Sequence, residues 1–418
     1  MVTQADRTVI QDAAPDHFPG DVAKVRQAPT VTARQGWLAR LGVAAHKAFD
    51  LASPGRIKPL EGTRGLSVLL VFLVHYDALF SDFAPRGSLT AQLSRFGGAM
   101  GNAGVDMFFV ISGYLIYGAV LKKSTRLARF LRRRVWRIYP TFLSIFALYV
   151  IGMHLVPGAT KVDWRNPGYA IYLVENLLLL PGLLPIRPVI SVAWSLSFEF
   201  FFYVTLPLVV VAFGIREWTR PKRVAFFAGL GLLDLLLSML GLIGHVRLAM
   251  FIPGILLYEC SEAGALDGSL EARGERLAIL ICLVGLLAVG WLGVVDAGAA
   301  GRAGRFSYCV PACRVIILSF SFGGVLLYSF RFDGILRRWF SWTPICWLGN
   351  ISYSYYLIHG GALHGFRALV EPLCGLHEPS TIWFWLLFPV GIAATIVATV
   401  PIFLLVEKRF SLQPHGLS

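Results

Sequence analysis

The sequence is short of charge, and above all of acidic residues. Of its 418 residues only 15% are charged, and 24 Asp and Glu stand against 38 Lys and Arg. A soluble domain of this length carries about a quarter charged residues, so a soluble globular fold is excluded. The hydrophobic share is 56%, and the mean hydropathy is +0.65. Composition therefore predicts an all-α polytopic membrane protein.

Metal-binding and secretion patterns are also missing. The six cysteines contain no CxxC pair and lie mostly within apolar runs, where cysteine behaves as a small hydrophobe, so we expect no metal site. Residues 1–33 contain no apolar core segment, so we expect no cleavable signal peptide. The linkers between apolar runs are short, which predicts that the membrane domain carries the activity alone.

Apolar runs of about 18 or more residues predict membrane-spanning helices. Region 168–184 is apolar but interrupted by Glu175, Asn176 and Pro181, which predicts a re-entrant or interfacial segment on the outer side. The remaining runs predict about ten transmembrane helices, at 62–80, 104–121, 139–156, 192–214, 224–243, 246–262, 277–295, 312–330, 344–366 and 382–406.

The cations lie mostly in short segments between these runs, among them residues 122–137, 220–223 and 331–338. With ten spans and both termini cytoplasmic, these segments fall on the inner side, as the positive-inside rule requires. The net charge of +14 then reflects topology, and no nucleic-acid partner is predicted.

We predict three parts of the chain. Residues 1–55 form a polar cytoplasmic extension, residues 56–410 the transmembrane domain, and residues 411–418 a short cytoplasmic tail. Within the extension, residues 34–51 have apolar side chains at helical spacing between cations. Such a helix suits an anionic membrane surface, or equally the cytoplasmic face of the protein itself.

The first long apolar run, EGTRGLSVLLVFLVHYD (61–77), has Arg64 near its start and His75 far inside. In one helix these side chains share a face and lie about 16 Å apart along the axis. Ionisable groups inside a bilayer are costly, and a neutral imidazole suits a general base. We predict that the pair marks the two ends of a path. The alternative is an inner-face anchor and a buried imidazole that bonds a neighbouring helix.

The next run, GNAGVDMFFVISGYLIYG (101–118), carries Asp106, with Gly113 one heptad further on the same face. A glycine there allows another helix to approach closely. Asp106 is predicted at the depth of His75, where it could orient the imidazole as the acid of a catalytic triad does. The alternative is an acid that favours the helix N-terminus.

A cationic cluster follows in FLRRRVWRIYP (130–140), with Arg133, Arg134 and Arg137. Guanidinium groups bind phosphate oxygens in bidentate fashion, so with Arg64 the cluster could hold a polyanionic tail. The alternatives are a topology signal and contacts with lipid headgroups.

Two further runs contribute polar and aromatic side chains that could bind a substrate. In VAWSLSFEFFFY (192–203) the carboxylate of Glu199 needs a cation or a hydroxyl as partner at its depth. In LGNISYSYYLIHG (348–360) the side chains either line the same cavity or join helices by hydrogen bonds. The candidates are Trp194, Ser195, Glu199, Tyr203, Tyr356 and His359.

Together these motifs, in this order, resemble the acyltransferase-3 family of bacterial integral-membrane O-acyltransferases. The resemblance rests on the Arg64 and His75 spacing, GVDMFFVISGYLI, RRVWRIYP, WSLSFEFFFY and ISYSYYLIH, over residues 60–410. It implies transfer of an acyl group, most often acetyl, from acyl-CoA to a hydroxyl of a saccharide or glycolipid, in the bacterial inner membrane. It also implies that membrane lipids surround the domain.

The resemblance assigns roles to several residues. The essential arginine and histidine of the family correspond to Arg64 and His75, and its arginine pair to Arg134 and Arg137. Its acid in the second helix corresponds to Asp106. His75 then acts as general base, or carries the acyl group covalently before passing it on. A transporter or flippase of a lipid-linked saccharide is the alternative function, since it would also explain the buried acids.

Overall fold

A computed structural model describes residues 37–51, 57–122, 126–155, 162–163, 165–262, 270–298, 305–373 and 379–412. The chain divides into two compact units, Met1–Arg56 and Ile57–Ser418. The division coincides with the predicted start of the membrane domain, while the cytoplasmic location of the first unit stays a prediction. In that unit the structure describes one helix, α1 (Trp37–Phe49).

The described part of the second unit is helical, which confirms the all-α prediction. Short 3-10 turns and one isolated bridge join the helices. The helices are α2 (Lys58–Phe80), α3 (Leu89–Gly101), α4 (Ala103–Leu121), α5 (Leu127–Leu155), α6 (Tyr169–Leu177), α7 (Ala193–Ala212), α8 (Arg220–Met239), α9 (Phe251–Ser261), α10 (Ala272–Gly298), α11 (Arg305–Arg331), α12 (Ile335–Phe340), α13 (Thr343–Asn350), α14 (Ser352–Leu373) and α15 (Thr381–Ile402).

Within the described residues, seven helical segments are long and apolar enough to cross a membrane. A bilayer core about 30 Å thick needs about 20 helical residues, and each segment reaches that length. They are Lys58–Phe83, Leu89–Leu121, Leu127–Leu155, Ala193–Ala212, Ala272–Ala297, Cys309–Arg331 and Thr381–Ser411. The chain is therefore a multi-pass membrane protein.

The other predicted spans differ from simple helices. Region 246–262 forms a 3-10 turn followed by α9, whose 11 residues are too short to span alone. Region 344–366 is interrupted at Ile351, between α13 and α14. Helix α8 has 20 residues, but it begins with three cations and includes Asp234. Three features stay predictions: the count of ten spans, the cytoplasmic termini and the outer location of region 168–184. In that region the structure describes the nine-residue helix α6.

Close helix crossings occur at glycines. A Cβ atom on Gly113 of α4 would lie 2.1 Å from the carbonyl oxygen of Phe251. Reciprocally, a Cβ on Gly254 of α9 would lie 2.0 Å from the carbonyl oxygen of Val110. The two backbones therefore touch where any larger residue would separate them, as predicted for Gly113.

Five helices form a closed ring at the centre of the second unit. Helix α2 packs against α4, α4 against α7, α7 against α5, α5 against α14, and α14 back against α2. The π-helical segment Phe403–Ser411, which continues α15, packs against α5. This ring encloses the site described next.

Candidate active site

A cavity of about 130 Å³ lies inside the ring, and each of the five helices contributes to its wall. Its wall combines cations, one carboxylate and hydroxyl groups with aromatic and aliphatic side chains. The cavity brings together seven of the residues that the sequence predicted, Arg64, Arg134, Arg137, Ser195, Glu199, Tyr203 and Tyr356.

The three arginines of the cavity differ in how far their charge is neutralised. Arg64 lies 3.7 Å from Glu61, and Arg137 forms an ion pair of 2.7 Å with the fully buried Glu407. Arg134 instead lies over aromatic rings, 5.2 Å from Phe130 and 5.3 Å from Tyr203.

Within the described residues no carboxylate pairs with Arg134. Since an unneutralised guanidinium at a low-dielectric wall attracts anions, Arg134 is the arginine of this cavity that is best suited to a bound anion.

Glu199 is held in one orientation by two hydroxyl groups. Ser112 donates a hydrogen bond of 2.8 Å to its Oε1 atom, and the Tyr203 hydroxyl donates to the same oxygen. Because both bonds go to Oε1, the second oxygen remains able to accept a hydroxyl or amide proton from a bound molecule. The carboxylate is therefore fixed in the cavity wall with one oxygen that is free of these two bonds.

Ser195 and Tyr356 form the part of the wall that is nearest to the histidines. Their hydroxyl oxygens lie 2.6 Å apart, and the Tyr356 hydroxyl also donates to the Val192 carbonyl over 3.2 Å. The ring of Tyr356 lies 6.0 Å from the ring of His359. Tyr356 is thus a residue of the cavity wall that is also in ring contact with the histidine pair.

His75 contacts His359, and neither side chain lines the cavity itself. Their rings meet edge to face at 4.5 Å, and the Nδ1 atom of His75 lies 3.1 Å from Nε2 of His359. His359 is fully buried, whereas His75 is half-buried. The cavity that Arg64 lines thus does not reach His75, and an open path between these two residues stays a prediction.

Asp106 does not contact His75, contrary to the prediction. Its partner is Arg247, whose Nε lies 3.4 Å from Asp106 Oδ1 and which also stacks over Trp194 at 5.1 Å. Asp106 shares a face of α4 with Gly113, and that face packs on α9 and the 3-10 turn before it, where Arg247 lies. The face points away from α2, so His359 and not Asp106 stands beside the imidazole.

The cationic cluster of α5 is divided by its helical geometry. Arg134 and Arg137, one turn apart, line the cavity, whereas Arg133 is exposed outside it. The structure thus assigns two arginines of the cluster, and not three, to the cavity.

Sequence reasoning missed the partners of the buried charges. Ser112 holds Glu199, Arg247 pairs with Asp106, and Glu407 pairs with Arg137 while accepting from the backbone of Ser354. A buried acid requires such a partner, so the need was predictable. The identity was not, because the side-chain partners Ser112, Arg247 and Glu407 lie 87, 141 and 270 residues along the chain from the groups they hold.

Comparison with known proteins identifies the family. A family model described as an acyltransferase domain matches residues 57–405. The chain belongs to the acyltransferase-3 family. The resemblance inferred from the motifs is thereby confirmed, and the match covers the whole ring and cavity.

Three relatives illustrate the similarity within this family. The acyltransferase MdmB of Streptomyces mycarofaciens is 33% identical over 159 residues, which are 37% of this chain and 39% of MdmB. The exopolysaccharide production protein ExoZ of Rhizobium meliloti is 28% identical over 53% of this chain and 77% of its own length. The O-acetyltransferase OatA of Staphylococcus aureus is 22% identical over 73% of this chain and 50% of OatA. No solved structure matches the chain.

Proposed function

We propose that this protein transfers an acyl group, acetyl in the first instance, from cytoplasmic acyl-CoA to a hydroxyl group of a saccharide or glycoconjugate. The family supports the acyl transfer, and the names of ExoZ and OatA support a polysaccharide acceptor and an O-acetyl product. The multi-pass fold supports a reaction inside a membrane, for which we propose the bacterial inner membrane.

The observation that carries the proposal is the polarity of the cavity. Arg64 and Arg134 provide cations at the end that the predicted topology places toward the cytoplasm, where the phosphates of acyl-CoA would bind. The hydroxyl pair of Ser195 and Tyr356 lies at the other end, next to the imidazoles. A thioester that entered past the arginines would therefore approach the histidine pair at the end of the cavity that Tyr356 lines.

In the reaction, His75 accepts the proton of the acceptor hydroxyl. The oxygen then forms its bond to the thioester carbonyl carbon, the carbon–sulfur bond breaks, and the CoA thiolate takes up the proton that His75 held. Glu199 accepts a hydrogen bond from donor or acceptor. Trp194 stays a proposed sugar-binding residue, although its ring lies under Arg247 and does not line the cavity. Binding both reactants in one site lowers the barrier by removing the entropy cost of their encounter.

The proposal is tested by comparing surface glycans from cells with and without the gene by mass spectrometry. The expected result is an additional acyl group, acetyl in the first instance, on a glycan of the expressing cells only. Purified protein should also gain thermal stability from CoA. If the protein were a flippase, the glycans of both cell types would have the same mass, and CoA would not stabilise the protein. These two results together would contradict the proposal.

A further inference from the structure

We propose that His359 is a positioning residue that fixes the tautomer of His75 and directs its free lone pair away from the histidine pair. The inference rests on the proposed function, in which His75 acts as the base. In this proposal His359, and not Asp106 as the sequence predicted, orients the imidazole of His75.

The environment of His359 leaves one tautomer for its neutral ring. Its Nδ1 atom lies 3.0 Å from the Tyr355 carbonyl oxygen and 2.9 Å from that of Tyr356. Carbonyl oxygens only accept hydrogen bonds, so Nδ1 carries the hydrogen. In the neutral imidazole the other nitrogen, Nε2, then holds a lone pair.

That lone pair determines the state of His75. The Nδ1 atom of His75 lies 3.1 Å from His359 Nε2, and also 3.1 Å from the carbonyl oxygen of Val71. Both neighbours are acceptors, so Nδ1 of His75 carries the hydrogen and shares it between them. The opposite tautomer would set two lone pairs against each other. The basic nitrogen of His75 is therefore Nε2.

The opposite edge of the His75 ring lies beside Gly360 and Tyr149. A Cβ atom on Gly360 would lie 3.9 Å from Cδ2 of His75, which is bonded to Nε2, and 3.7 Å from the Tyr149 hydroxyl. Glycine at position 360 therefore places no side chain against the edge that carries Nε2. His75 is half-buried while His359 is fully buried, so only the first imidazole can meet a substrate.

The arrangement also stabilises the product of proton transfer. Once Nε2 of His75 takes a proton, the His75 ring is a cation, and its Nδ1–H donates a charge-assisted hydrogen bond to His359 Nε2. Such bonds are about twice as strong as neutral ones. His359 thus favours the protonated state of His75 without itself touching the substrate.

The test compares His359→Gln with His359→Met in the full-length protein. Gln and Met have similar length, but only the Gln amide oxygen can accept from His75 Nδ1–H. With acetyl-CoA as donor and the isolated surface glycan as acceptor, we expect His359→Met to lower kcat by roughly 10- to 100-fold. We expect His359→Gln to retain most of kcat, and KM for acetyl-CoA to remain within about twofold in both variants.

Equal kcat values for both variants, whether lowered or unchanged, would overturn the inference, because the acceptor would then be irrelevant. Melting temperatures measured in the same detergent show whether each variant is folded, and the comparison is made between variants that are. The variant His75→Ala distinguishes a failure of the proposed function from a failure of the positioning role alone. If that variant retains full activity, the proposed function of His75 fails; if it is inactive while His359→Met equals His359→Gln, only the positioning role fails.

Discussion

Replacing Arg134 by alanine tests whether the cavity binds the phosphates of acyl-CoA. Arg134 lines the cavity and, within the described residues, has no carboxylate partner. A charge-assisted hydrogen bond to phosphate contributes about 1.5–3 kcal/mol, so its loss should weaken CoA binding by roughly 10- to 150-fold. The maximal rate should change much less, since Arg134 does not contact His75 or His359.

The neighbouring residue supplies a matched control. Arg133→Ala removes the same charge from the same helix turn, but Arg133 is exposed outside the cavity. A surface charge contributes at most about 1 kcal/mol, or roughly a fivefold change in affinity, and salt screens it. CoA affinity is measured by calorimetry of the purified protein at low and high ionic strength. Equal losses in both variants, or no loss in Arg134→Ala, would refute the assignment of the cavity as donor site.

Two further changes examine the site wall and the fold. Tyr203→Phe removes one donor to Glu199 while keeping the ring, and should lower kcat/KM by about 3- to 10-fold; wild-type kinetics of the purified variant would contradict a role for the held carboxylate. Gly254→Ala places a methyl group against the Val110 carbonyl and should cost about 1–3 kcal/mol of stability. As a control, the added methyl group of Gly229→Ala meets no atom within 4 Å, so this variant should keep or raise the melting temperature of the wild type. Equal melting temperatures of Gly254→Ala and Gly229→Ala would contradict the close crossing of α4 and α9.

The parts of the fold that follow local rules were predictable from the sequence. Apolar runs identified the helices, and the heptad between Asp106 and Gly113 placed both on one face of α4. In the structure that face approaches α9 through Gly113, whereas α4 approaches α2 through Gly104. The predicted position beside His75 failed because it rested on helix direction and depth and not on which face of α4 turns toward α2.

Helix breaks and long-range partners were beyond the sequence. The 3-10 turn before α9 and the interruption at Ile351 lie within runs that the sequence predicted as single spans, at 246–262 and 344–366. The contact between His75 and His359 joins residues 284 apart along the chain, and depends on how α14 packs against α2. Such pairings are decided by tertiary packing, which neither periodicity nor residue spacing reports.

The most direct test of the account is acetyl transfer from acetyl-CoA to isolated surface glycan, measured in a single turnover for the wild type and for His75→Ala. General base catalysis contributes about 100-fold or more, so the variant should bind CoA like the wild type but transfer acetyl at least roughly 100-fold more slowly. Transfer at the wild-type rate by His75→Ala would contradict the central claim that this imidazole removes the proton from the acceptor.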